Sequence, residues 1–352
     1  MKKSTHNYIS IGQAILAAAL FGISAPFSKF LLREISPLML SALLYLGAGI
    51  GMLAIYSIRR ISKAKFVEAS LAKQELPFIL LMVVLDIAAP ISLMVGLTMT
   101  TSSNASLLNN FEIVATSVIA LVVFKEAISR RLWLSISLIT LSSIILSIEN
   151  FSSFSFSTGS IFVLLACIFW GFENNCTRKL SIKDPLQIVI IKGIGSGLGA
   201  LVIAISAHQA SWNPVFITLS LILGFFAYGL SIFFYVTAQR SLGAARTSAY
   251  YAVAPFIGVG ISFIVFDEPI TATFLVASIV MILGTYFTIF EKHGHKHLHA
   301  YIDHEHRHDH FDGHHNHTHE RITDDEHTHL HTHEKIAHTH EHTPDIHHAH
   351  DH

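Results

Sequence analysis

Charged side chains are scarce in this chain, 13% of 352 residues, and they are unevenly placed. Residues 1 to about 290 are dominated by Leu, Ile, Ala, Val, Ser and Phe. A soluble domain is typically about a quarter charged, and this stretch cannot supply such a surface. A soluble fold is excluded. Cysteine is almost missing as well, with Cys167 and Cys176 alone. At about 100° per residue these two point to roughly opposite faces of one helix, so neither a disulfide between them nor a shared metal site is expected. The formal net charge is −1, so no global field draws a nucleic acid. Neither the phosphate-cradling G-x-x-x-x-G-K-[ST] pattern nor a nucleophile elbow is present. No enzyme and no required cofactor are expected.

Apolar stretches of about 20 residues, the length that spans a bilayer as a helix, fill the chain instead. Ten spans are predicted, near 8–32, 37–58, 76–97, 101–124, 131–149, 158–178, 186–207, 214–238, 243–266 and 271–290. The first is longer than the apolar core of a secretion signal, and it reads as a membrane helix. Pro37, Pro77, Pro185 and Pro214 stand at span starts, where a missing N–H costs nothing. Pro26, Pro90 and Pro255 fall within spans and predict kinks.

Basic residues gather on one side. With a cytoplasmic N-terminus, the inner segments hold Lys2, Lys3, Arg59, Arg60, Lys63, Lys65, Lys73, Lys125, Arg130, Arg131, Arg178, Lys179, Lys183 and Arg240. The outer joints then hold little beyond Arg33, with Lys29 nearby. The positive-inside bias and the even span count place both termini in the cytoplasm, in a bacterial or archaeal cell membrane.

The chain repeats itself. "ALFGISAPFSKFL" in span 1 aligns with "CIFWGFENNCTRKL" in span 6, matching Gly22 with Gly171, Ser28 with Thr177 and Lys29 with Arg178. Span 4 and its exit align with span 9, matching Phe124 with Phe266 and Glu126 with Glu268. Each unit therefore holds five helices, residues 1–149 and 158–290, joined by a linker at 150–157 and followed by a tail at 291–352. An odd helix count turns the second unit upside down relative to the first. Inverted repeats are a recurring design of secondary transporters, with the solute site near the midplane between the halves.

With these motifs in view, the chain resembles the drug/metabolite transporter superfamily, specifically its EamA-type members. The features that carry the resemblance are Gly22 and Gly171 in the first helix of each repeat, and the "FKEAIS" and "FDEPIT" exits at 124–129 and 266–271. The resemblance covers about residues 10–290. It implies an all-α integral membrane fold of ten helices and a secondary carrier of small organic solutes, often an exporter.

Ionisable groups at membrane depth mark function by default. Asp86 and Glu112 fall near the middle of spans 3 and 4, Glu173 and Lys192 in the inner third of spans 6 and 7. Glu112 shares a narrow small-and-polar stripe with Ala105, Asn109 and Thr116, which suits a wet cavity where a carboxylate could take up and release a proton. Asp86 could share that proton or a cation, or be capped by Ser92 or Thr98. Glu173 and Lys192 could pair across consecutive helices, as a structural pair or a gate, with Asn174 and Asn175 widening the polar patch. Arg246 and Tyr250 share a face that could hold a carboxylate or an aromatic ring, unless Arg246 only snorkels to the headgroups. Ser24 and Ser28 are candidate cavity liners. Asn110 reads as packing glue, and Glu126 and Glu268 as structural residues of the turns they occupy.

The tail is a different material. All histidines but His6 and His208 lie from His293 onward, in alternating runs: His293, His295, His297 and His299; His304, His306, His308 and His310; His314, His315, His317 and His319; His327, His329, His331 and His333; His338, His340 and His342. Imidazole is a common ligand for Zn, Ni, Co and Cu, so the tail is expected to bind such ions. Its composition cannot build a core, so a disordered segment is expected. Two functional readings stay open: a gradient-driven carrier of a small organic solute, or a divalent-metal exporter or metal-regulated transporter fed by the tail. The absence of histidine from the spans weighs against the second. A homodimer is compatible with either.

Overall fold

A computed structural model describes residues 2–62, 71, 73–124, 129–150, 155–180, 183–242, 247 and 250–289, and in the tail 293–298, 302–309, 326–333 and 337–342. Its helices are α1 (Lys2–Gly22), α2 (Ser24–Leu31), α3 (Pro37–Ile61), α4 (Leu76–Met99), α5 (Ser102–Leu108), α6 (Phe111–Phe124), α7 (Arg130–Ser147), α8 (Thr158–Leu180), α9 (Pro185–Ser206), α10 (Pro214–Gly224), α11 (Ser231–Leu242), α12 (Ala254–Phe266) and α13 (Ala272–Ile289). Eight helical stretches are long and apolar enough to cross a membrane, and two shorter apolar helices follow them. Together they account for the ten predicted spans.

Four spans are interrupted among the described residues, and sequence explains three of them. Span 1 breaks between α1 and α2 because Pro26 has no N–H to give the Gly22 carbonyl. Span 4 breaks at Asn109 and Asn110, where the Asn110 amide donates to the Leu107 carbonyl at 3.4 Å and competes with the helix ladder. Span 8 carries a π-helical stretch, Phe225–Leu230, between α10 and α11. Span 9 turns at Ala252 and Val253, between the helical Tyr250 and Tyr251 and α12, because Pro255 has no N–H to give the Tyr251 carbonyl, whereas α4 runs on through Pro90.

The packing carries the symmetry of the repeat. Span 3 packs on span 6 and span 1 on span 8, the same pairing with the halves exchanged. Spans 2 and 7 pack on each other, as do 5 with 10 and 4 with 9. Glycine makes the closest approaches possible. A Cβ on Gly171 would lie 2.7 Å from the Ala115 side chain, and one on Gly22 would lie 2.9 Å from that of Ile257. The sequence alignment that matches Phe124 with Phe266 also matches Ala115 with Ile257, so both glycines make one contact twice. Gly49 and Gly193 meet where spans 2 and 7 cross, so closely that a Cβ on Gly193 would collide with the Gly49 backbone. Small residues let membrane helices approach this closely.

The linker folds back through a short antiparallel pair, β1 (Ile148–Asn150) with β2 (Ser155–Phe156). The described residues of the tail pair as β3 (His293–Leu298) with β6 (Ala337–His342) and β4 (Ile302–Asp309) with β5 (Glu326–His333). Alternating His-x-His runs carry a strand's period of two, although a two-stranded pair by itself is marginal in water.

Candidate functional site

The polar residues at membrane depth collect on the surface where the two halves meet. Asp86 lies in the middle of α4, one turn before Pro90, and is fully buried. Lys192, from α9 in the other half, stands 3.2 Å from one Asp86 carboxylate oxygen. The same ammonium lies 2.9 Å from Glu173 of α8. One buried cation therefore serves two buried acids. The second Asp86 oxygen accepts from the Tyr45 hydroxyl of α3 at 2.9 Å, and Trp170 of α8 donates to that hydroxyl at 3.4 Å. Thr177 donates to Glu173 from the next turn of the same helix.

Glu112 sits a short distance along, at the start of α6, just past the break at Asn109 and Asn110. Its carboxylate accepts from the Asn174 amide at 2.6 Å, and that amide also reaches the Thr116 hydroxyl at 3.3 Å. Asn175 donates to the Thr116 carbonyl and to the Gly171 carbonyl, which ties α8 to α6 beside the same glycine contact. No ammonium or guanidinium pairs with Glu112 among the described residues. Asn109 is buried and its side-chain oxygen lacks a hydrogen-bond partner among the described residues.

Aromatic rings line the way on from the acids. Tyr45 stacks on Tyr228 with ring centres 5.4 Å apart, and Tyr228 accepts from the Ser24 hydroxyl at 3.0 Å. Phe21 touches both Tyr228 and Tyr251, at 6.0 and 5.7 Å, and Tyr251 lies 4.9 Å from Tyr235. Such edge and offset contacts suit rings whose faces are electron-rich.

Chemically, the cluster is a balanced unit one proton short. Two carboxylates around one ammonium carry a single excess negative charge, and one proton on either acid removes it. Glu112 adds a carboxylate held by neutral donors only. Charges in this setting are costly unless paired or wetted, so any rearrangement of the halves must move a proton, a cation or water with them.

Several expectations from sequence meet here. Glu173 and Lys192 do pair, and Lys192 reaches Asp86 as well. Ser92 and Thr98 do not cap Asp86; their hydroxyls turn to the Ala88 and Val95 carbonyls of their own helix. Glu112 and Thr116 share one partner, but the helix break parts them from Ala105 and Asn109. Glu268 has a turn role: its carboxylate accepts from the Ser102 and Ser103 amides at 2.8 and 3.0 Å. Tyr250 is half-buried, and the ring contacts go to its neighbour Tyr251. Arg246, Glu126, His299, His310, His314, His315, His317 and His319 lie outside the described residues. Tyr45, Trp170, Tyr228 and Tyr251 were not found from sequence. Their signal is a polar tip on an aromatic body in mid-span, which needs a partner when buried.

Comparison with known proteins agrees with this architecture. The profile of the EamA-like transporter family matches the chain twice, over residues 9–148 and 157–290. An uncharacterised transporter of Methanothermobacter thermautotrophicus is 28% identical over 295 residues, covering 79% of this chain and 84% of its own. The uncharacterised transporter YyaM of Bacillus subtilis is 22% identical over 200 residues, 54% of this chain and 65% of its own. A solved crystal structure, 11% identical, shares the fold with a TM-score of 0.58 over 78% of this chain and 95% of that one.

Proposed function

The chain belongs to the EamA-like transporter family, and on that premise we propose that it is a secondary, gradient-driven exporter of a small organic solute, with Glu112 and the Asp86–Lys192–Glu173 cluster in the coupling. The observation that carries this reading is that these contacts run from one half of the molecule to the other: Asp86 to Lys192, Glu112 to Asn174, Tyr45 to Trp170 and Ser24 to Tyr228. In inverted-repeat carriers the solute and its coupling ion sit at this interface, and alternating access would remake these contacts. Both termini face the cytoplasm in this proposal.

A proteoliposome assay with an imposed pH gradient tests it. The wild-type protein should move its solute in a pH-dependent way, and Glu112→Gln should flatten that dependence or abolish flux. Normal flux with unchanged pH dependence in Glu112→Gln would sink the coupling role. Reversing the gradient's polarity tests direction.

The histidine-rich tail favours a second reading, a transition-metal exporter. Against it, Lys192 places an ammonium between the two acids that a divalent ion would need, and like charges repel there. We therefore assign metal binding to the tail and the organic solute to the membrane domain. Ni²⁺, Zn²⁺ and Co²⁺ flux with and without residues 293–352 separates the two. Metal flux lost in Glu112→Gln supports the metal carrier. Metal retention lost with the tail, with no flux, supports the organic carrier.

A further inference from the structure

A cavity of about 480 Å³ opens on the flank of the molecule, away from the charge network. Span 1 lines it with Pro26, Phe27 and Phe30, span 8 with Leu219 and Phe226, and span 9 with Val265. Every wall is apolar. Phe27, Phe30, Leu219 and Phe226 are exposed on the outside of the helix bundle, so the opening faces the hydrocarbon of the bilayer. Water would gain nothing in such a hollow, which offers it no polar partners. Its lining includes Pro26, beside the break between α1 and α2, and Phe226, within the π-helical stretch Phe225–Leu230.

A cation stands at one end of the cavity, with the exposed Glu34 and Asp267 nearby in sequence to its ring contacts. The Arg33 guanidinium lies over the Phe30 ring at 5.9 Å and the Phe266 ring at 5.7 Å. Phe30 lines the cavity and Phe266 follows Val265, which also lines it, so the cation is held at the end of the hollow. Arg33 is exposed, next to an exposed Glu34. The planar guanidinium matches a phosphate with two parallel hydrogen bonds. The back of the cavity is shared with the core, because Ile23 precedes Ser24, whose hydroxyl holds Tyr228.

We propose that this crevice is a binding site for one anionic phospholipid, with an acyl chain in the cavity and the phosphate on Arg33. The chain completes the wall between the bilayer and the Ser24–Tyr228 contact. This site does not depend on what the protein carries.

Native mass spectrometry of the full chain in detergent, with phosphatidylglycerol added, tests the site. Leu219→Trp fills the crevice, Arg33→Gln removes the headgroup contact, and Ile279→Trp alters another lipid-facing surface as the control. Wild type and Ile279→Trp should retain one tightly held phosphatidylglycerol, and Leu219→Trp should lose it. Arg33→Gln should weaken retention by about fivefold, the scale of one basic contact with an anionic lipid. Equal retention in wild type and Leu219→Trp would overturn the site. Equal displacement by a neutral alkyl detergent, or unchanged retention in Arg33→Gln, would overturn its assignment to an anionic phospholipid. Thermal unfolding of each variant separates loss of lipid from loss of fold.

Discussion

Lys192 is the residue on which the core turns. It is buried with both acids, and removing it leaves Asp86 and Glu173 facing each other with no cation. Breaking a buried pair by deleting one partner costs about 3–5 kcal/mol, so Lys192→Met should lower folded yield and the unfolding temperature sharply. Adding Asp86→Asn and Glu173→Gln to Lys192→Met should recover much of the loss, because no charge then stays unpaired. Recovery of fold without recovery of transport would separate the structural role from the coupling role. The acids themselves were legible in sequence, since charge at membrane depth stands out against apolar neighbours. Their partners were legible only where the helices are consecutive, as for Glu173 and Lys192. Asp86 and Lys192 come from different halves, and no spacing along the chain records that meeting.

Helix turns and crossings carry the next level. The turn between α4 and α5 is held at both ends by distant residues. Lys29 donates to the Leu97 and Thr100 carbonyls at the end of α4, and Glu268 accepts from the first amides of α5. Each uses the charge that suits its helix end. Glu268→Ala should cost about 1–2 kcal/mol, the scale of a lost cap, read as a lower unfolding temperature; no change would deny the cap any energetic role. The glycine crossings predict a harsher result. Gly171→Leu and Gly22→Leu should each destabilise by about 1–3 kcal/mol or more, since the nearest atoms belong to packed helices. The matching of Gly22 with Gly171 was visible in the sequence, whereas the shared contact with Ile257 and Ala115 needed the fold. At Pro255 the expected interruption is found just before it, as a turn at Ala252 and Val253.

At the scale of the whole molecule, two inverted copies of five spans were legible because duplication leaves residue matches at fixed offsets. The tail's alternating histidine pattern was legible but its strand pairing was not, because a composition without a core gives no packing to reason from. Removing residues 293–352 should abolish metal retention and leave thermal unfolding of the helical part unchanged; a lower unfolding temperature would mean the tail braces it. The cross-half placement of Lys192 also has a consequence in time. Asp86 and Glu112 leave the ribosome first, and their half meets the membrane before the cation that balances Asp86 has been made. Synthesis at roughly 5–20 residues per second leaves Asp86 waiting on the order of 5–20 seconds for Lys192. The first five spans must therefore be held protonated, hydrated or shielded during that interval, and the finished core forms only when the seventh span arrives.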